Sequence, residues 1–368
     1  MARQTKTLLL HGQSDLTDLK LSNKIQTVLG PIEPEALGVT LTHEHLLVDQ
    51  GCYFRVPDEA SEREWIDAPL ELSRRGKIVP RYGYFVDNSR LYDTTAATEE
   101  ALLYKYAGGN SLVDVTNIGI GRDPLALTRI SRATGLNIIM GTGYYVWPSH
   151  PQDMDQKTED GIAEELIRDL TVGVGDSGVR CGIIGEIGNM WPTNDNERKS
   201  LRASALAQKA TGAPILIHPG FHPDSPPAII DELRRAGADL ERVIIGHLGF
   251  FHENETFDAI AEAGCYLEWD TFGREDTSNE WQLLGIPAYL PTDNDRMKAL
   301  EYMVKRGYED KLVVGHDVCF KFQLTRNGGN GYPHLLTSIV PRLKKIGFND
   351  KTIHKIFVDN PRNILTFS

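Results

Sequence analysis

The sequence predicts an α/β fold, a (β/α)8 TIM barrel with an N-terminal β-hairpin and long βα loops. The first observation is that short apolar runs alternate with helical patterns along most of the chain. Such alternation predicts parallel strands joined by right-handed crossovers. The second observation concerns the main competitor, an open doubly wound sheet. That fold should carry a glycine-rich turn after its first strand, and this sequence has none there.

Eight strand-like runs support the barrel, since eight strand–helix units close one barrel. The predicted strands are residues 39–45, 111–118, 137–144, 181–187, 214–219, 242–248, 265–271 and 312–318. The predicted helices are residues 98–107, 124–134, 161–172, 196–211, 226–236, 255–263 and 293–306. Polar residues that follow the strands therefore fall at the carboxyl ends, which surround one shared mouth.

Three segments fall outside this repeat. An alternating stretch with a turn precedes the first strand and predicts a β-hairpin that caps the barrel. Residues 51–93 form a long polar loop that we expect on the catalytic face. Residues 274–296 form a second insertion, a candidate lid or specificity loop. We expect one domain over residues 1–368, with the extension and hairpin in 1–38 and the barrel in 39–368.

The composition argues against several classes of partner. The formal net charge is -12 at pH 7, whereas nucleic-acid binding usually needs a basic patch. The four cysteines are far apart and form no CxxC pair, which is typical of free thiols in a reducing compartment. No apolar run is long enough for a signal-peptide core or a membrane span. We expect a soluble, cytoplasmic protein that acts on a small molecule, without nucleic-acid or membrane partners.

Two histidines at the end of the first predicted strand carry the strongest chemical signal. Side chains alternate along a strand, so His43 and His45 point to one face and Glu44 points to the other. The two imidazoles are spaced about 7 Å apart along the strand. At that spacing they can bind a single metal ion.

Further candidate metal ligands lie at the carboxyl ends of four other predicted strands, namely Glu186, His218, His247 and Asp317. Each one alone has a structural explanation, such as a hydrogen-bonded histidine or an aspartate that caps the next helix. If these four residues and the two histidines met at one barrel mouth without a metal, several of them would be buried polar groups without a partner. Each such group would lower the stability of the fold by about 1–3 kcal/mol. A metal centre satisfies all of them at once, so the six residues together predict a metal site.

These strand ends resemble a known family, the phosphotriesterase-related branch of the amidohydrolase superfamily. The motifs that carry the resemblance are Thr42-His43-Glu44-His45, Gly185-Glu186, His218-Pro219, Gly246-His247 and Gly315-His316-Asp317. The supporting motifs are Val28-Leu29-Gly30-Pro31-Ile32, Gly121-Arg122-Asp123-Pro124, Gly141-Thr142-Gly143-Tyr144-Tyr145 and Asp359-Asn360-Pro361. The resemblance extends over nearly the whole chain.

The resemblance implies a binuclear metal site and a homodimer. The implied ligands are His43, His45 and Asp317 for the more buried ion, His218 and His247 for the more exposed ion, and Glu186 between them. The best-known phosphotriesterases bridge their ions with a carboxylated lysine, but no lysine lies near the end of the fourth strand here. The branch that uses glutamate is therefore the more similar one. Zinc fits the mixed imidazole and carboxylate set best, and manganese or cobalt can replace it.

The implied activity is metal-dependent hydrolysis. A hydroxide between the two ions would attack a carbonyl ester, lactone or amide, and Asp317 would take the proton. Two alternatives stay open at this point. One is a phosphotriesterase that hydrolyses organophosphates, and the other is a non-catalytic metal-binding barrel protein.

Two further residues are candidates for substrate binding. Tyr145 follows the third strand, where relatives place an aromatic residue near the leaving group, and a tyrosine at the rim is an equally good interpretation. Arg274 follows the seventh strand and either receives an anionic substrate or forms a salt bridge to Glu275 or Asp276. The salt bridge is the slightly favoured interpretation.

Overall fold

The barrel predicted from the sequence is present in the computed structural model, which describes residues 22–275 and 290–368. The strands are β1 (Ile25–Thr27), β2 (Gly30–Ile32), β3 (Thr40–Glu44), β4 (Val48–Asp49), β5 (Arg90–Leu91), β6 (Ser111–Asp114), β7 (Asn137–Thr142), β8 (Ile183–Gly188), β9 (Ile215–His218), β10 (Val243–Ile245), β11 (Tyr266–Trp269) and β12 (Leu312–Val314). Eight of them form one sheet in the order β12-β11-β10-β9-β8-β7-β6-β3. Every pairing in that sheet is parallel.

Helices surround this sheet. They are α1 (Ala60–Arg63), α2 (Arg75–Ile78), α3 (Thr94–Tyr106), α4 (Pro124–Thr134), α5 (Glu159–Thr171), α6 (Asp195–Thr211), α7 (Ser225–Ala236), α8 (Asn254–Glu262), α9 (Asp293–Lys305), α10 (Val340–Lys345), α11 (Asp350–His354) and α12 (Asn360–Leu365). In the part of the chain that the structure describes, no helix has the length and apolar character needed to cross a membrane.

The first and last strands of the sheet meet and nearly close the barrel. The Asp317 amide donates to the carbonyl oxygen of His43 at 3.2 Å. The Thr42 hydroxyl donates to the carbonyl oxygen of Val314 at 3.1 Å. A side chain at Gly315 would lie 2.7 Å from the backbone of His43, so only glycine allows this approach. The closure places the ends of β3 and β12 side by side at the mouth.

Local sequence signals account for the helix boundaries. Helix α4 is an example, because the Asp123 side chain accepts a hydrogen bond from the amide of Ala126 and Pro124 occupies the first turn. The helix ends at Gly135, whose φ of 66° is left-handed and is easily adopted by glycine. The boundaries of α4 are therefore encoded locally.

The predicted N-terminal hairpin closes the end of the barrel opposite the mouth. Strands β1 and β2 pair antiparallel. Ile25 and Leu37 pack with barrel residues such as Val113 and Ile244 in a fully buried apolar cluster. This cluster fills the amino-terminal end of the barrel and leaves the carboxyl end for the polar residues.

The long loop after β3 lies at the mouth, as predicted. It contributes Tyr53 and Tyr82 to the lining of the pocket that opens at the mouth. The Tyr82 ring packs 4.6 Å from that of Phe320, which follows β12. Of the second predicted insertion, residues 276–289 lie outside the described part of the chain. The loop prediction for 51–93 is thus confirmed, and the lid prediction stays a prediction.

Candidate metal centre

The six predicted metal ligands converge at the mouth around Glu186, at the end of β8. Both Glu186 oxygens lie among imidazole nitrogens, with Oε1 3.2 Å from His45 Nε2 and Oε2 3.4 Å from His43 Nε2. Oε2 also lies 3.2 Å from His218 Nδ1 and 3.3 Å from His247 Nε2. One carboxylate therefore contacts all four histidines, as a ligand between two ions would.

Asp317 completes the group from the end of β12. Its Oδ1 atom lies 3.4 Å from His45 Nε2. Ligand atoms of His43, His45 and Asp317 all lie within 4.8 Å of one another, and so do those of His43, Glu186 and His247. Two overlapping clusters of this kind match the donor set of a pair of divalent cations.

Unsatisfied polar atoms provide a test of whether a metal fits. His43 Nε2, His45 Nε2 and Glu186 Oε1 are buried and have no hydrogen-bond partner within the protein. Such atoms are costly to bury, by about 1–3 kcal/mol each. All three point into the space between the six side chains, so the residues present fit a bound cation.

Backbone conformation supports a functional role for two of these residues. His247 and Asp317 have φ values of 58° and 51°. Residues other than glycine seldom adopt this left-handed conformation, and strained positions of this kind cluster at functional sites. Here the conformation turns each side chain inward directly after its strand.

A second layer holds the histidines from behind. Asp270 Oδ2 lies 2.9 Å from His43 Nδ1 and 3.1 Å from His247 Nδ1. Glu268 Oε2 lies 3.0 Å from His43 Nδ1, and the Thr116 hydroxyl lies 2.9 Å from His45 Nδ1. These contacts fix which ring nitrogen faces the centre.

Glu268, Asp270 and Thr116 were not among the site residues predicted from the sequence. Asp270 could have been predicted as Glu186 was, because each is an acid at the carboxyl end of a predicted strand. Glu268 lies two positions before Asp270, so alternation places both acids on one face of the strand. Thr116 carried no comparable signal.

The carboxylates change the proton affinity of the histidines. Burial disfavours a charged imidazole, but the nearby carboxylates of Asp317 and Glu186 outweigh it and raise the pKa of His45 to about 9. Asp270 outweighs burial at His247 and raises its pKa to about 10. Burial and the neighbouring His247 lower the pKa of His218 to about 4. The carboxylates thus favour positive charge at His45 and His247 but not at His218.

His316 plays a structural part although it lies next to Asp317. Its Nδ1 lies 2.7 Å from Glu44 Oε1, and its Nε2 accepts from the amide of Leu335 at 3.0 Å. Glu44 also accepts from the amides of His316 and Val318. Glu44 points away from the centre, as strand alternation predicted, and links β3 to the end of β12.

A pocket opens above the centre and receives both predicted substrate-binding residues. Its lining includes His218, His247 and Asp317 together with Tyr145 and Arg274. Tyr145 is buried, and its hydroxyl lies 3.3 Å from His218 Nδ1. It therefore lies beside the centre and is buried, while its role in substrate binding stays a prediction.

Arg274 lies inside the same pocket. Its side chain is only 2% exposed, and Nη1 donates to Asp317 Oδ2 at 2.8 Å. The sequence predicted a salt bridge to Glu275 or Asp276, and that expectation stays a prediction beside the observed pair with Asp317. Glu275 accepts a hydrogen bond from the amide of Asp293, and Asp276 lies outside the described residues.

The backbone at Arg274 is fixed by α9. Arg296 Nη2 donates to the carbonyl oxygen of Arg274 at 2.8 Å, and Asp293 accepts from the amide of Gly273 at 2.9 Å. Arg296 and Asp293 also pair with each other at 3.0 Å. The guanidinium is thus held in the pocket by a buried scaffold.

The chain matches one protein family along most of its length. The model of the Phosphotriesterase family matches residues 23–365. The chain belongs to the phosphotriesterase family. This family is part of the amidohydrolase superfamily, so the resemblance found in the sequence is confirmed.

Relatives of this family member are named hydrolases. N-acetyltaurine hydrolase of Tetraodon nigroviridis is 40% identical over 354 residues, which covers 94% of this chain and 99% of that protein. N-acetyltaurine hydrolase of Xenopus tropicalis is 40% identical over 351 residues and covers the same shares. Among solved structures, a resiniferatoxin-binding protein from Rhodobacter sphaeroides is 34% identical with a TM-score of 0.89. That match covers 93% of this chain and 95% of the other.

These findings establish the broad activity. The phosphotriesterase-family chain is a hydrolase, and enzymes of its family use a binuclear metal centre. The interpretation as a non-catalytic barrel is therefore set aside. The candidate ligand clusters lie where the strand ends of such a barrel place its active site.

Proposed function

We propose that this hydrolase cleaves the amide bond of a small N-acyl compound whose amine portion carries an acidic group. The observation that carries the proposal is the buried guanidinium of Arg274 in the pocket, next to Asp317. A fixed positive charge within an apolar wall favours an anionic substrate. The relatives named N-acetyltaurine hydrolase support the amide and point to a sulfonate as the acidic group.

The pocket walls fit a short aliphatic chain between amide and acid. The Arg274 guanidinium lies 5.5 Å from the ring centre of Phe250, 5.6 Å from that of Phe320 and 5.8 Å from that of Tyr82. Arg55 adds a second positive charge to the lining. Aromatic walls exclude water and strengthen the attraction between the guanidinium and an anion.

We propose the metal ligands as the resemblance implied them. His43, His45 and Asp317 would hold one ion, His218 and His247 the other, and Glu186 both. The inward-facing nitrogens and the unsatisfied atoms described above support this assignment. Zinc is the proposed metal, because imidazole and carboxylate donors in this ratio suit it best.

Different residues of the chain would perform different steps of the reaction. Bound divalent ions would supply Lewis acidity that activates water and polarises the scissile carbonyl. Asp317 would accept the proton of the attacking water and deliver it to the leaving amine. Arg274 and Arg55 would orient the acidic end, and the aromatic walls would hold the linker. Cys319 takes no part, because burial raises the pKa of its thiol well above the usual range.

Metal analysis and a substrate panel test the proposal. Purified protein should contain close to two ions per chain, lose activity on chelation and regain it with zinc. The panel compares N-acetyltaurine, N-acetyl-β-alanine, the uncharged N-ethylacetamide, a lactone and paraoxon. We expect kcat/KM to be highest for N-acetyltaurine. Equal turnover of N-ethylacetamide would contradict the anion site, and a preference for the lactone or for paraoxon would contradict amide hydrolysis.

We also propose a homodimer, a cytoplasmic location and a single domain over residues 1–368, on the family resemblance and the sequence alone. Light scattering of the purified chain measures its mass in solution against 41.0 kDa for one copy. A mass of one copy would contradict the dimer.

A further inference from the structure

Gln50 is a buried polar residue of the pocket to which the proposed reaction assigns no role. It is only 2% exposed, and it lines the pocket together with Tyr53, Arg55 and Arg274. Its Oε1 atom is buried and has no hydrogen-bond partner within the protein. Because a buried acceptor without a partner is destabilising, this atom indicates a ligand that donates a hydrogen bond to it.

The backbone of Gln50 is fixed at both of its polar atoms. Its amide donates to the carbonyl oxygen of Ser89 at 2.8 Å, and its own carbonyl oxygen accepts from the amide of Tyr53 at 3.0 Å. Gln50 directly follows β4, which pairs antiparallel with β5. The side chain therefore starts from a rigid base, which a residue that discriminates between substrates requires.

The helical turn Gly51–Tyr53 sets the direction of the Gln50 side chain. Gln50 is the residue before this 3-10 turn, and side chains three residues apart in such a turn lie on the same face. The Tyr53 hydroxyl reaches to 3.5 Å from His218 Nε2. The shorter side chain of Gln50 therefore lies beside the Tyr53 ring, on the wall of the pocket that leads to the candidate centre.

Other acceptor side chains in the pocket lining have partners within the protein. Asp317 Oδ2 accepts from Arg274 at 2.8 Å, and the hydroxyl oxygens of Tyr53 and Tyr145 lie 3.1 Å apart. Gln50 carries the one side-chain amide among the described residues that line the pocket. An N–H group of a bound substrate thus meets its free acceptor at Gln50 Oε1.

Amides and esters differ at the atom that would face this acceptor. The nitrogen of a secondary amide carries an N–H donor, whereas the bridging oxygen of an ester or lactone carries no hydrogen. An ester in the pocket would leave Gln50 Oε1 buried and unpaired. Sites that hydrogen-bond an N–H or O–H group of the substrate discriminate strongly against analogues that lack it.

We propose that Gln50 accepts a hydrogen bond from the N–H of the scissile amide and thereby selects secondary amides over esters, lactones and tertiary amides. Gln50 is then a specificity-determining residue that touches the substrate at the bond to be cleaved. This role rests on the proposed function in one respect, the amide bond. Neither the sulfonate nor the identity of the metal affects it.

Gln50→Met tests the proposal, because methionine has a similar length and its thioether is a weak acceptor. The substrates are N-acetyltaurine and its ester counterpart, O-acetylisethionate, in which oxygen replaces the N–H group. We expect kcat/KM for N-acetyltaurine to fall about 30-fold and that for the ester to change less than threefold. Each substrate is compared between the two enzymes, so the greater intrinsic reactivity of the ester cancels.

Two further compounds separate the hydrogen bond from the shape of the pocket. N-acetyl-N-methyltaurine is a tertiary amide, and Gln50→Met should reduce the preference for N-acetyltaurine over it about tenfold or more. The ketone 4-oxopentane-1-sulfonate has CH2 in place of the N–H and is not hydrolysed. Its inhibition constant should agree within threefold between the two enzymes, because it makes no hydrogen bond to Gln50.

Gln26→Met is the matched control. Gln26 is also 2% exposed and its Oε1 atom also has no partner, but it lies in β1 at the opposite end of the barrel. We expect each kinetic constant to stay within twofold of the unaltered enzyme. A loss in Gln26→Met as large and as selective as that in Gln50→Met would overturn the proposal, since it would trace the effect to stability.

Two other results would overturn the role of Gln50. The first is an unchanged kcat/KM for N-acetyltaurine in Gln50→Met, and the second is an equal loss for the amide and the ester, which would make the role one of packing. Failure of the proposed function is separable. It would appear in the unaltered enzyme, as faster turnover of the lactone or paraoxon than of N-acetyltaurine.

Discussion

Arg274 and Asp317 form a buried pair in which each oxygen of the carboxylate has a different neighbour. Asp317 Oδ2 accepts from Arg274 Nη1 at 2.8 Å, whereas Oδ1 lies 3.4 Å from His45 Nε2. Burial opposes the charge on Asp317, but the adjacent His45 imidazole and the charge of Arg274 outweigh it and lower its pKa. An arginine stays protonated, so Arg274 can hold Asp317 but cannot relay its proton.

Replacement of Arg274 should therefore separate substrate recognition from chemistry. In Arg274→Gln we expect kcat/KM for N-acetyltaurine to fall about 100-fold, since a buried charge pair with the anion is worth about 2–5 kcal/mol. For N-ethylacetamide the fall should be about tenfold at most, because only the hold on Asp317 is lost. Kinetics on both substrates make the comparison. Arg306→Gln is the control, since Arg306 pairs with Asp258 on the exterior. Equal losses for the two substrates would contradict anion binding by Arg274.

Asp317→Asn tests the assignment of the proton acceptor. The amide keeps the shape of the side chain but cannot accept a proton, so we expect kcat to fall about 1,000-fold or more. Circular dichroism should be unchanged, and zinc content measured by mass spectrometry should stay above one ion per chain, because the other five ligands remain. Asp258→Asn is a control outside the barrel. Retained turnover in Asp317→Asn would exclude the proton-acceptor role.

The barrel and the six candidate ligands could be predicted from the sequence because local rules determine them. Alternation placed His43 and His45 on one face and Glu44 on the other, and the shared mouth of a barrel gathered the remaining strand ends. The partner of Glu44 could not be predicted in this way. Its contact with His316, at 2.7 Å, joins residues 272 positions apart and depends on barrel closure.

The substrate-binding residues were harder to predict for the same reason. Arg274 has acidic neighbours in sequence, so a local salt bridge was the simpler expectation. Its pair with Asp317 reaches across the mouth to a residue that follows β12, and no local rule predicts such a contact. Tyr53 lies in a polar loop without periodicity, and its approach to Tyr145 depends on how that loop folds over the mouth.

Asp270 should control metal affinity because it holds histidines assigned to different ions. Its Oδ2 atom contacts Nδ1 of both His43 and His247, and it accepts from the His247 amide at 2.8 Å. Loss of such an outer partner weakens metal binding about 10–100-fold. We expect Asp270→Asn to weaken both ions in a competition titration against a chromogenic chelator. Glu268→Gln is the matched comparison, because Glu268 contacts His43 and should weaken one ion. Unchanged affinities in Asp270→Asn would exclude this role.

The metal-free protein should lose stability as the pH rises from about 6.5 to 8.5. The folded-state pKa values of His45 and His247 are about 9 and 10, against 6.5 for an ordinary histidine. Their contribution to the free energy of unfolding is therefore complete below about pH 6.5 and disappears as the pH rises through 9 to 10. Each pKa unit corresponds to about 1.4 kcal/mol, so the effect should reach a few kcal/mol. Buried cysteines such as Cys265, with a pKa of about 12, add a further loss of stability only near pH 9 and above.

Calorimetry in chelator should show Tm falling between pH 6.5 and 8.5, and His247→Asn should make Tm depend less steeply on pH. Zinc-loaded protein is the control, because metal ions replace the protons. A Tm in chelator that is constant or rises between pH 6.5 and 8.5 would contradict the proposed charge balance of the site.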